Sequence, residues 1–286
     1  MINISNKNRV KDRIFEIWGV ISTLIGVVLL VIFIGDIFIE GITRIDSQFL
    51  SSLPSMFAKK AGVYPALMGS LWILFLTAII ALPIGVGAGI YLEEYSKKNW
   101  LSSLLEINIS NLAGVPSVIY GLLGLEIFVR VLGFGKSLLS GAMTLSLLVL
   151  PIVIVATREA IKAVPPSIRQ AAYGLGATKL QTITSQVLPS SMGGILTGVI
   201  LALSRAIGET APVIVVGAAA YVGFAPENPM DEYSVMPIQI FDWISRPQEA
   251  FKINAAAGII ILLFITIIMN GIAVYFRNRW QKKVKW

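Results

Sequence analysis

The chain has 286 residues, 56% of them hydrophobic and only 14% charged, with a formal net charge of +7 and a mean hydropathy of +0.79. A soluble domain carries about 25% charged residues, so this composition points to an integral membrane protein. Cys and His are both absent, which excludes thiol redox chemistry, disulfides, Cys/His zinc sites and histidine general bases.

Apolar stretches reach the roughly 20 residues that a membrane helix needs at 15–39, 66–92, 104–132, 138–158, 191–222 and 254–276. The first follows Lys7, Arg9, Lys11 and Arg13, as in a signal peptide. No small-residue cleavage site follows and the run is long enough to span, so a retained first helix is expected. Basic residues then fall on alternate connections: Lys97 and Lys98, next Arg158, Lys162, Arg169 and Lys179, and finally Arg277, Arg279, Lys282, Lys283 and Lys285. The opposite connections carry Arg44, Lys59, Lys60, Lys136, Arg246 and Lys252 together with most loop carboxylates, among them Glu227, Asp231, Glu232 and Asp242. By the positive-inside rule both termini are expected in the cytoplasm. The positive charge thus follows the loops and makes no nucleic-acid face.

Segments 40–63 and 223–252 are expected to face outward as the longest irregular stretches, the second with a short helix around 236–245. Within the spans, Pro83, Pro116, Pro151 and Pro212 read as kinks, and Gly85-x-x-x-Gly89 as a close helix-packing face. Asp36 and Glu40, at the outer end of the first helix, read as solvated. Glu126 and Arg130 read as an i,i+4 ion pair at a helix end. Gly135-Lys136-Ser137 supplies only the tail of a phosphate-cradling loop, because Arg130 stands where the first glycine belongs; ATP hydrolysis is not expected of this chain.

The connection 158–190 is the longest on the basic side. Pro165-Pro166 opens a helix over 167–173, in which Ala171 and Ala172 give a small-residue face and which Gly174 and Gly176 can end. A second short helix starts on the capping box Thr178-x-x-Gln181 and is expected to stop before Pro189. Two short helices across the mouth of a membrane bundle point to a docking surface.

The costliest stretch is Arg205-Ala206-Ile207-Gly208-Glu209-Thr210-Ala211-Pro212, since a charge at the centre of a membrane helix costs about 2.5–3.5 kcal/mol. Counted from Ser191, Arg205 lies roughly 20 Å into the membrane, and Glu209 one turn further on the same helical face. Two readings stand. The pair can fix helix registry. Alternatively, Arg205 presents a permanently charged donor fork to a passing oxyanion, Glu209 keeps the site from holding it too tightly, and Thr210 adds a hydroxyl. Gly208 leaves room for a neighbouring helix.

Gln170-Ala171-Ala172-x-x-x-Gly176, followed by Leu188-Pro189, resembles the EAA loop of permease subunits in ATP-binding-cassette importers. Gln170 stands where that family carries Glu, and Gln186 where it carries Ile; the Ala pair and Gly176 are the parts that steric fit would require. Residues 205–212 resemble the RAxGETAP signature of phosphate-importer permeases of the PstA type, supported by the segments 89–95 and 111–121. The resemblance implies an all-α polytopic protein of six transmembrane helices with the type I ABC importer permease fold and a cytoplasmic coupling helix. It implies an N-terminal region 1–63, a permease domain 64–280 and a basic tail 281–286. It also implies a heterodimer with a PstC-like permease, a PstB-like ATPase dimer that binds ATP and magnesium, and a PstS-like protein delivering inorganic phosphate to the outer mouth. This chain would hold no cofactor. Two rivals are an ion-coupled phosphate symporter, which would need a midplane cation site and inverted repeats, and a phosphate-sensing membrane protein using 223–252 as its receptor surface.

Overall fold

The computed structural model describes residues 2–97 and 99–281, so Lys98 and the basic tail beyond Gln281 lie outside it. Among the described residues the regular structure is entirely helical. The centre is α6 (Leu138–Lys162), which is packed by α3 (Tyr64–Ile90), α5 (Ser117–Gly124), α9 (Leu188–Gly208) and α10 (Ala211–Val216). Leu145, Leu148, Val149 and Val153 line one face of α6 at helical spacing and are almost fully buried. Two of its buried hydroxyls bond back along the helix, Thr144 Oγ1 to the Ser140 carbonyl and Ser146 Oγ to the Ala142 carbonyl, both at 2.7 Å. The expected glycine face on α3 is the contact with α6. A Cβ on Gly85 would lie 2.7 Å from Val153 Cγ1, and one on Gly89 2.7 Å from Thr157 Cβ.

Helix α1 (Ile2–Gly41) continues through a 3₁₀ turn to Arg44, and the apolar window of this run has mean hydropathy 2.8 with none of it buried. Such a surface requires lipid around it. Its C-terminal end crosses α12 (Glu249–Gln281), where Gly41 meets the backbone of Ala256 and Ala257. Asp36 and Glu40 are exposed.

Among the described residues five helical runs are long and apolar enough to cross a membrane, and a bent pair makes a sixth crossing if it counts as one. That pair corrects the expected third span. α4 (Trp100–Leu112) and α5 meet at 103°, because the preceding-residue restriction and missing donor of Pro116 stop the helix there. A π-helical turn, Leu125–Val131, extends α5 and carries the Glu126–Arg130 pair at 2.8 Å with both side chains exposed.

The fifth span departs at both ends. The capping box forms, Gln181 N donating to Thr178 Oγ1 at 3.3 Å and Thr178 N to Gln181 Oε1 at 2.8 Å. The helix does not stop before Pro189, however. α8 (Lys179–Thr182), a π-helical turn Ile183–Val187 and α9 form one 30-residue run. The widened turn takes up the register just where proline cannot donate. At the far end the run stops at Gly208, not 222. In a continuous helix the ring of Pro212 would clash with the Gly208 carbonyl.

Segment 40–63 is folded. Short α2 (Ser47–Ser51) is capped by Asp46, which accepts from Phe49 N at 2.7 Å. Phe49 is buried against Trp243 of α11 (Met236–Ser245), the short helix expected at 236–245. Arg44 donates to Asn254, Asp46, Gln48 and the carbonyls of Lys59 and Ala61 at 2.9–3.1 Å. One guanidinium thereby joins this segment to α12.

Candidate functional site

Arg205 occupies the last turn of α9, and Glu209 is the residue at which the helix opens, with extended backbone (φ −75°, ψ 121°). The two are therefore not on one helical face, as their spacing suggests, yet they meet: Arg205 Nε donates to Glu209 Oε1 at 3.0 Å. Their side chains are 40% and 16% exposed. The terminal nitrogens of Arg205 take no hydrogen-bond acceptor among the described residues, so the fork of the guanidinium is available to an anion. Ala206 and Ile207 anchor this turn in the core beside Tyr120, Leu148 and Ala202. Glu209 also borders a cavity of about 10 Å³ with Ser70 and Val213, the space of one water. Thr210 Oγ1 donates to the Gly208 carbonyl at 3.4 Å, which keeps it beside the break.

The break is framed by the segment 111–121. Tyr120 OH donates across the α4–α5 bend to the Leu112 carbonyl at 2.8 Å. Gly121 is packed on Pro212, where a Cβ would lie 2.8 Å from Pro212 Cα. Two of the three quoted segments thus form one structure around Arg205. Gly208 has open space at its Cβ position.

At the other end of the α8–α9 run lies α7 (Pro166–Gly174), the helix expected at 167–173. Gln170, Ala171, Tyr173 and Leu175 are exposed, with Leu175 at 89%. Ala172 is buried, so the two alanines divide their work: Ala172 packs inward and Ala171 faces out. Gly176 takes φ +81°, the left-handed turn that ends the helix, while Ala177 N bonds back to the Ala172 carbonyl at 3.1 Å. Leu188 and Pro189 sit inside the continuous run just after the π-helical turn and form no loop.

The side chains that hold this loop are ones the sequence reading left without a role. Glu94, in the π-helical turn Tyr91–Tyr95 that follows α3, accepts from Arg169 of α7 at 2.7 and 3.0 Å. Its neighbour Glu93 meets Arg158 of α6 at 3.5 Å, and Arg158 also pairs with Glu106 of α4. A sequence signal existed: two adjacent carboxylates at the basic end of an apolar span are costly unless each has a cation. Gly135-Lys136-Ser137 has a structural use. Ser137 caps α6, accepting from Ser140 N at 3.3 Å, and the Lys136 stem covers Gly217.

The family model "binding-protein-dependent transport system inner membrane component" matches residues 81–282. The chain is 33% identical over 285 residues to the phosphate transport system permease protein PstA of Mycobacterium leprae, covering 96% of this chain and 91% of that protein. It is 31% identical over 239 residues to the probable ABC transporter permease protein YqgI of Bacillus subtilis, covering 83% and 79%. Its fold is similar to a chain of the bacterial alginate ABC transporter solved with a pentasaccharide-bound periplasmic protein (TM-score 0.65, 14% identity, 93% of this chain and 96% of that one).

Proposed function

Because the chain belongs to the family of inner membrane components of binding-protein-dependent transport systems, we propose that it is the PstA-type half of the permease of an ATP-driven phosphate importer. As an ABC importer permease it is a multi-pass membrane subunit. The observation that carries the anion reading is the helix break at Gly208–Glu209. It leaves the Arg205 guanidinium tied by Nε alone and 40% exposed. Phosphate is recognised by planar, multidentate donors, and Arg keeps its charge at every relevant pH. The 3.0 Å pair with Glu209 supports the registry reading. An arriving phosphate competes with Glu209 for the same guanidinium, so one pair serves as lock and as checkpoint.

A PstC-like permease completes the pathway, and a PstB-like ATPase dimer hydrolyses ATP. The exposed surface of α7, with Ala171, Tyr173 and Leu175, is the docking face for that ATPase. Fit there is steric, since Gln170 brings no charge. The basic connections, by the positive-inside rule, support a cytoplasmic side for this face and both termini. At the opposite end, expected to face outward, a cavity of about 570 Å³ is lined by Met56, Tyr221, Arg246 and Gln248, a seat for a PstS-like binding protein.

Reconstituted transport tests the reading. Uptake of phosphate that requires ATP, the partner ATPase and the binding protein is expected. Uptake driven by an ion gradient with this chain alone would identify a symporter, and binding without uptake would identify a sensor.

A further inference from the structure

Three residues of the π-helical turn Tyr91–Tyr95 hold cations from three other elements. Glu94 binds Arg169 of α7, the Lys179 ammonium lies 4.7 Å above the Tyr95 ring, and Glu93 meets Arg158 of α6. Arg169 also donates to the carbonyls of Val164 at 2.8 Å and Ile161 at 3.0 Å, so it fastens the α6–α7 corner as well. The Arg169–Glu94 pair is largely buried, at 19% and 8% exposed, and Arg158, 15% exposed, lies between Glu93 at 23% and Glu106 at 44%. Two Arg169 nitrogens on Glu94 Oε1, in a partly desolvated setting, make this link stiffer than an exposed pair. The i→i+5 winding of a π-helical turn redirects successive side chains, and here adjacent carboxylates reach two different arginines.

Arg158 passes the connection on. Its second partner, Glu106, belongs to α4, none of whose described residues is buried. α4 leads through the 103° bend to α5. The Tyr120–Leu112 bond braces that bend, and Gly121 of α5 bears on Pro212, beside the Arg205 break. A contiguous chain of ion pairs and tight packing therefore runs from α7 to Arg205.

We propose that Tyr91–Tyr95 is the transmission turn of the permease, with Glu94 and Tyr95 gripping the docking loop and Glu93 sharing Arg158 with Glu106 to move α4. Displacement of α7 then swings the bent α4–α5 pair and alters the packing at Pro212. Glu93, Glu94 and Glu106 are positioning residues, acting through the arginines. The inference rests on α7 being the ATPase-docking helix.

The test uses the complete importer in proteoliposomes. The chain has no Cys, so Leu105→Cys on α4 and Ser167→Cys on α7 accept nitroxide labels at defined points. The expected result is an inter-label distance that changes when a non-hydrolysable ATP analogue binds. The change should be lost in Glu106→Gln while the ATPase still co-purifies. Phosphate imported per ATP hydrolysed should fall about 2- to 30-fold, the range that changes along a coupling network produce. A general folding defect would lower hydrolysis and import together and leave their ratio alone. The same distance change and ratio in Glu106→Gln and Glu94→Gln as in the wild type would overturn the relay, as would a wild type with no distance change. The distance readout decides the relay whichever anion is carried.

Discussion

Gly121 of α5 and Pro212 of α10 are in backbone contact: a Cβ on Gly121 would lie 2.8 Å from Pro212 Cα and 3.1 Å from its carbonyl oxygen. The neighbour is main chain, which cannot rotate away. Gly121→Val should therefore cost about 1–3 kcal/mol as overpacking and reduce uptake by shifting the Arg205 break. Thermal unfolding in detergent and uptake, measured on the same preparation, check both; an unshifted melting temperature contradicts the contact.

Ala171 and Ala172 should separate by mechanism. Ala171 is exposed on α7 and Ala172 is buried. Ala171→Arg should leave this chain's melting temperature in place while co-purification of the ATPase falls by at least about 30-fold, the effect of losing a 2 kcal/mol interface contact. Ala172→Arg should destabilise the chain itself, because it buries an unpaired charge. Equal stability of the two variants would mean that the faces are wrongly assigned.

Arg44 should be a stability residue of the outer side. Its side chain is 14% exposed and it bonds both α12 and the segment 46–61. Arg44→Ala should cost about 1.5–3 kcal/mol, the range for hydrogen bonds to a charged group. Arg44→Lys should recover little of this, since an ammonium cannot reproduce the fork. Unfolding of the two variants beside the wild type gives the answer.

Asp231 ties the outer loop to α6. Its Oδ2 accepts from the backbone N–H of Asn228 and of Glu227, both at 2.9 Å, and these bonds hold its carboxyl below the ordinary Asp range. A depressed carboxylate contributes fully above its unfolded value and loses that contribution as pH falls through the folded one. The loop also accepts from Leu138 N at 3.0 Å and Leu139 N at 2.8 Å at the start of α6. Exchange protection of those two amides should be constant near neutrality and weaken below the usual Asp range. Asp231→Asn should remove that pH dependence, and a dependence surviving the substitution would assign it elsewhere.

The sequence carried the helices well where one physical term dominated. Apolar length located the spans, the Thr178/Gln181 box located a helix start, and the Pro165–Gly176 punctuation located α7. It failed where two terms compete. Pro189 reads as a stop, but a π-helical turn absorbs it; residues 104–132 read as one span, but Pro116 bends them. The Arg205–Glu209 pair was legible from its spacing, although the ladder that spacing assumes is broken between the two. Glu93, Glu94, Arg158 and Arg169 escaped because their partners are 65 and 75 residues apart, and no local period encodes such a pairing.

Uptake by Arg205→Gln bears most directly on the anion site. The complete importer, with the second permease, the ATPase and the binding protein, is reconstituted, and ATP-driven phosphate uptake is read beside subunit co-purification. Loss of uptake with intact assembly is expected, and a smaller loss for Glu209→Gln. Wild-type uptake in Arg205→Gln would contradict the pathway role, and disassembly of the complex would reduce the pair to a registry lock.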